Sequence, residues 1–148
     1  MTALLEYNGA LRCHAVHEQS GTSIETDPPT DNRGKGERFS PTDLTCTSLG
    51  TCILTTMAIK ATDMGIELAG TTASVQKYMS KEPPRRIVRI DVSVKFPTLE
   101  LNEKEKEILE ATGRACPVAR SLHPDLEQVI SYEWQAVPGL ITSFSKQV

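Results

Sequence analysis

The stretch "FSPTDLTCTSLGTCILTTMAIKATDMG", residues 39–65, decides the fold. Ser40 suits a helix N-cap, Pro41 the first helical position, and Asp43 sits three residues after the cap, close to a capping box. Gly65 is a natural stop. Between them Leu44, Leu49, Ile53, Leu54, Met57 and Met64 spread over much of the helix surface, and residues 44–59 are poor in charge. The segment therefore predicts a long helix buried nearly all round. A small domain seldom encloses a helix completely, so a dimer that covers it is expected.

Upstream, "LRCHAVHE" (11–18) is β-compatible, "QSGT" is a turn around Gly21, and "SIETD" (23–27) can return as its partner strand. "PPTDNRGKGERF" is an irregular surface segment. Downstream, residues 71–80 read as a strand. Val88, Ile90, Val92, Val94 and Phe96 alternate with Arg89, Asp91, Ser93 and Lys95, which predicts a half-exposed antiparallel strand ended by Pro97. "NEKEKEILEATGRA" (102–115) is a second helix capped by Asn102. "CPVARSL" begins a short third helix, with Cys116 at the cap and Pro117 at its first position. "EQVISYEWQAV" (127–137) closes the chain as a strand. This order predicts one α+β domain over residues 1–148, an antiparallel sheet packed on a long central helix.

The whole composition narrows the function. The chain has 148 residues, 39% of them hydrophobic and 24% charged, with a net charge of −3, as in soluble globular proteins. No basic excess points to nucleic acid or an anionic surface. The apolar runs read as too short for a span of about 20 residues, so no membrane association is expected. The N-terminus lacks the features of a secretory signal, which leaves the cytoplasm as the expected address. Four cysteines in a reducing compartment suggest buried thiols, a metal site or a redox pair. Their spacings of 33, 6 and 64 residues match no zinc pattern, and His14 and His17 fall on opposite strand faces. No metal is expected.

Of the cysteines, Cys116 has the livelier local setting. A thiol at a helix N-terminus meets unpaired N–H groups that favour thiolate, although cysteine is a weak cap and could simply pack there. Cys52 has the opposite setting. Mid-helix, it gains little from the dipole, and apolar burial raises a thiol's pKa, so locally it reads as core filler. Cys46 lies six residues earlier, about 600° around the helix, and points elsewhere. Cys13, opposite in facing to Arg12 on its strand, reads as core.

Together "FSPTDLTCTSLGTCILTTM" and "RACPVARSL", with the "ALRCHAVHEQSGT" hairpin, the "PPRRIVRIDVSVKFP" strand and the closing "VISYEW" strand, resemble the OsmC/Ohr family of thiol peroxidases. The resemblance covers nearly the whole chain. It implies that Cys52 is the peroxidatic cysteine, Cys116 the resolving cysteine that condenses with its sulfenic acid, and Arg12 the arginine that activates the thiolate. Chemically the set is coherent. A guanidinium stays charged in any environment, and a sulfenic acid over-oxidises unless a nearby thiol captures it. The family further implies an intertwined homodimer, organic hydroperoxides as substrates with hydrogen peroxide as a further one, and no cofactor. Reduction comes from external dithiols, in some members from lipoylated proteins.

One position departs from the family. Its best-characterised peroxidases carry a glutamate directly after the helix-leading proline, where it pairs with the arginine. Here that residue is Thr42, with Asp43 beside it. Asp43 could support Arg12 or cap the helix, and a threonine cannot pair ionically. The departure keeps two other readings open: a non-catalytic dimeric module binding an apolar ligand or partner, and a redox sensor without turnover. A low-charge pocket around the first helix is expected to favour alkyl hydroperoxides.

Overall fold

Along the chain, β-structure comes before and after the long helix in the computed structural model, which describes residues 1–136. In chain order the elements are β1 (Ala3–Tyr7), β2 (Cys13–His17), β3 (Ser23–Thr26), a 3-10 turn (Thr30–Asn32), α1 (Pro41–Asp63), β4 (Thr72–Met79), β5 (Ile87–Thr98), α2 (Glu103–Arg114), α3 (Pro117–Ser121) and β6 (Glu127–Gln135). Val137, the expected end of the last strand, lies outside the described residues. The fold is α+β. The chain forms two compact units, Met1–Ser48 and Leu49–Val148, and α1 begins in the first and continues in the second.

The first unit is an antiparallel sheet ordered β1-β2-β3. Its register places Leu5 opposite Ala15 and Ala15 opposite Ile24, while Leu4 faces Val16. Leu4, Leu5, Tyr7 and Ile24 remain exposed. The sequence reading missed β1. Leu4 and Leu5 are adjacent apolar residues, so the strand lacks the alternation that marks a half-buried strand. Asp27, directly after β3, is buried, and its backbone N–H donates to the Phe39 carbonyl at 3.2 Å. Ser40 and Asp43 cap α1 reciprocally. The Asp43 N–H donates to Ser40 Oγ (3.1 Å), and the Ser40 N–H donates to Asp43 Oδ2 (2.8 Å).

In the second unit, Leu49, Ile53, Met57 and Ala61 form the buried stripe of α1, together with Ile90, Val92, Val94 and Phe96 of β5 and Leu109 of α2. Gly50 marks a close approach: a Cβ there would lie 2.7 Å from Val75 Cγ2 of β4. The rest of α1 is less enclosed than its composition implies. Ile59 is 63% exposed, so the chain by itself buries one stripe and not the whole circumference. At 23 residues α1 is also long and apolar enough, by length and composition alone, to cross a membrane. That differs from the expectation of short runs, because its threonines and small residues add length to the apolar stretches. A core helix meets the same measure, and the buried stripe is what such a helix shows.

Two features of the second sheet differ from expectation. Its order is β4-β5-β6, with β4 antiparallel to β5 but β6 parallel to it, so the sheet is mixed. A parallel return needs a crossover of a dozen or more residues, usually helical, and α2 with α3 provides it. Pro97 does not end β5 either. The strand runs on to Thr98, with the β5–β6 register shifting between Lys95 and Thr98, where Pro97 has no N–H to donate.

Candidate active site

The chemistry of the second unit gathers around α3. Asn102 caps α2 with a reciprocal box to Glu105, and α2 ends just before Cys116. There the chain turns, and Pro117 starts α3 with an N–H-free first position. Cys116 is its N-cap: the Ala119 N–H donates to Cys116 Sγ at 3.4 Å. From β6, Gln128 Nε2 donates to the Ala119 carbonyl at 2.9 Å.

This turn brings Cys116 and Cys52 together. The sulfur of Cys52, half-buried on α1, has Thr56 Oγ1 3.9 Å away on the next turn of its own helix, and the Val118 N–H and the Cys116 thiol are near enough to act on its acidity. Burial pushes the Cys52 thiol up, but the Val118 N–H, the Cys116 S–H and the Thr56 hydroxyl together outweigh it and hold the thiol below its ordinary range. For Cys116 the balance is reversed. Burial raises it, and donation to the Cys52 sulfur together with the Cys52 charge raises it further against the Ala119 N–H. Neither cysteine is in a disulfide. Local sequence physics ranked the two thiols the other way. It missed that the N–H groups opened by the Cys116 cap would reach a sulfur 64 residues upstream.

Arg12 belongs to the first unit, where Asp27 and Glu37 hold it. Its Nε and Nη2 donate to Asp27 Oδ1 and Oδ2, both at 2.8 Å, and Nη2 also donates to Glu37 Oε2 at 2.9 Å. The hydrogen bond to Asp27, then that to Glu37, raises the Arg12 pKa above its usual range, so the guanidinium is permanently charged. The same bond from Arg12 holds Asp27 below the usual carboxylate range against the cost of burial. Asp43 is engaged in the α1 cap, and Thr42 Oγ1 lies 3.0 Å from Ser40 Oγ. Asp27 and Glu37 were not anticipated, yet Asp27 was legible. In the β2–β3 ladder Cys13 pairs with Thr26, so the next position outward sets Arg12 opposite Asp27.

The expected apolar pocket lies elsewhere on α1. A cavity of about 310 Å³ opens between Leu54, Met57 and Ala58 of α1, Leu68 of the following loop and Phe96 of β5. Neither Cys52 nor Cys116 lines it. Among the described residues no cluster of three or more His, Cys, Asp or Glu side chains could hold a metal ion.

The profile of the OsmC-like protein family matches residues 34–129, the span holding α1 and both cysteines. The chain belongs to the OsmC-like family. A protein from Psychrobacter arcticus 273-4, provisionally described as an osmotic stress induced and detoxification response protein, shares 47% identity with this OsmC-like chain. The match covers 90% of this chain and 96% of that one, with a TM-score of 0.85. The organic hydroperoxide resistance protein OsmC of Legionella pneumophila superposes with a TM-score of 0.70 at 16% identity, over 90% of this chain and 97% of that one. For the organic hydroperoxide resistance protein OhrB of Bacillus subtilis the figures are 0.63, 14%, 90% and 98%. These last two share the fold. No curated protein matches the sequence at a significant level.

Proposed function

We propose that this OsmC-like chain is a thiol-dependent peroxidase acting on organic hydroperoxides and on hydrogen peroxide. The observation that carries this reading is the Cys52–Cys116 pair, in which the sulfur with the lowered pKa lies beside a protonated partner thiol. The Cys52 thiolate attacks the outer peroxide oxygen, the O–O bond breaks, and the departing alkoxide takes a proton to leave as alcohol. Cys52 is then a sulfenic acid. The Cys116 sulfur attacks it, water leaves with the Cys116 proton, and a disulfide remains. An external dithiol returns both sulfurs to thiols. Arg12, kept charged and fixed in its own unit by Asp27 and Glu37, is the residue to which this proposal gives the cation's role. The functional assembly is a homodimer, a reading supported by the exposed Leu4, Leu5, Tyr7 and Ile24 of the first sheet, since exposed apolar patches mark interaction surfaces.

The test is the consumption of cumene hydroperoxide with dihydrolipoamide as reductant, alongside thiol counts. Wild type loses two thiols per equivalent of peroxide and turns over. Cys52→Ser loses none, and a wild type that loses none overturns the proposal. A binding module is the second reading, favoured by the apolar cavity that neither cysteine lines. It predicts saturable binding of a fatty acyl probe with no peroxide consumed.

A further inference from the structure

Gln128 has no part in the chemistry proposed above, yet its side chain ties β6 to α3. It is half-buried on β6, a strand at the edge of its sheet, and its Nε2 donates to the Ala119 carbonyl at 2.9 Å. Ala119 is also the residue whose N–H caps onto Cys116 Sγ, and the N–H of its neighbour Val118 helps to lower the pKa of Cys52. α3 has only five residues, too few to hold its own conformation, since isolated helices shorter than about 12 residues are marginal. Its placement must come from tertiary contacts.

We infer that Gln128 is a positioning residue. Its amide holds the Cys116–Ala119 turn in the place from which the Val118 N–H and the Cys116 thiol act on the Cys52 sulfur. The inference rests on the proposed role of Cys52 only for its consequence, faster peroxide attack; the positioning itself is read on the thiol without peroxide. Around the two sulfurs stand few titratable groups. Cys52 is reached by Cys116 from the α2–α3 junction and by the Thr56 hydroxyl from α1. Beyond Cys116 stands Tyr132 of β6, close enough to feel its charge, with Glu110 and Arg114 of α2 beside that ring. Among the described residues the Val118 N–H, the Cys116 thiol and the Thr56 hydroxyl carry the Cys52 balance against burial. Donors set by backbone position are lost by a small displacement of the turn, because hydrogen bonds weaken steeply with misalignment.

The experiment is peptide-resolved alkylation of Cys52 by iodoacetamide from pH 5 to 10, in the full chain with all four cysteines present and identified by mass spectrometry. Gln128→Met keeps the shape and removes the donor. The expected result is a Cys52 midpoint raised by about one pH unit, with alkylation at neutral pH roughly tenfold slower, as follows when thiolate is the reactive form. Gln128→Lys returns a donor to the same carbonyl and should restore most of the rate. A Cys52 midpoint in Gln128→Met equal to wild type overturns the inference, whatever the change in melting temperature. If the methionine variant does not fold, Gln128→Ala decides in the same way: a raised Cys52 midpoint supports the inference and a native one overturns it. Because no peroxide is used, the result is independent of whether the chain turns over hydroperoxide.

Discussion

Cys52 and Cys116 stand close enough to act on each other's acidity, with Cys52 held low chiefly by the Val118 N–H and then by the Cys116 thiol, and Cys116 held high chiefly by its burial. A hydrogen bond to the charged form of a group favours that form. Replacing the donor should therefore act on Cys52 rather than on Cys116 itself. In Cys116→Ala the alkylation midpoint of Cys52 should rise; in Cys116→Ser, whose hydroxyl still donates, it should move less. Iodoacetamide labelling followed residue by residue measures both, and Cys52 should label before Cys116 in wild type near neutral pH.

Arg12 is held unequally by its two carboxylates. Asp27 is buried, with its side chain 4% exposed, and grips two guanidinium nitrogens; the Glu37 side chain is 53% exposed and grips one. Bidentate, desolvated pairs fix geometry, whereas exposed single contacts contribute little. Asp27→Asn should reduce peroxide consumption at least roughly tenfold, and Glu37→Gln less than about threefold. Steady-state rates with cumene hydroperoxide discriminate the two. Equal effects would show that Arg12 is not aimed by Asp27.

The same pair sets an acid limit. The folded pKa of Asp27 is lowered, chiefly by its hydrogen bond from Arg12. Its contribution to stability is therefore present above the ordinary Asp value of about 3.9 and is lost as pH falls through the lower folded value. The Arg12 Nε–H resonance should stay protected from exchange above that range and lose protection below it. In Asp27→Asn it should be unprotected throughout.

Gly113 is a packing contact on α2. A Cβ there would lie 2.7 Å from Tyr132 Oη and 2.8 Å from Met57 Sδ. Alanine gains about 1 kcal/mol of helix propensity over glycine, while overpacking costs roughly 1–3 kcal/mol. Gly113→Ala should therefore lower the melting temperature by a few degrees. Tyr132→Phe removes the close hydroxyl, at the loss of its bond to the Glu110 carbonyl at 3.1 Å. The double variant should be more stable than the sum of the single changes, because the two positions touch. Calorimetry on the four proteins closes the cycle.

The exposed apolar residues of the first sheet make the assembly testable. Leu5 and Ile24 are aligned across it through Ala15, and both are exposed, at 69% and 47%. Sedimentation velocity at micromolar concentration should give a dimer for the wild type and a larger monomer fraction for Leu5→Asp.

Much of this architecture was legible along the chain because its signals are local. Ser40, Pro41 and Asp43 announce α1, Asn102 and Glu105 announce α2, and the Val88–Phe96 alternation announces β5; each depends on neighbours within a turn or a strand. The Arg12–Asp27 pair was within reach of the same reasoning, since a hairpin register relates positions by simple counting. The parallel entry of β6 was not legible, because strand direction is decided by where a crossover returns the chain. The order of reactivity between Cys52 and Cys116, which the family resemblance implied, was not legible in local physics either. A thiol's acidity depends on which donors reach it in space, and the donors that reach Cys52 come from a turn distant in sequence. Sequence alone determined that two thiols, a guanidinium and a capped, charge-poor helix are present. Only the tertiary structure decided which sulfur is poised to ionise, because hydrogen bonds act through distance and direction, not through position in the chain.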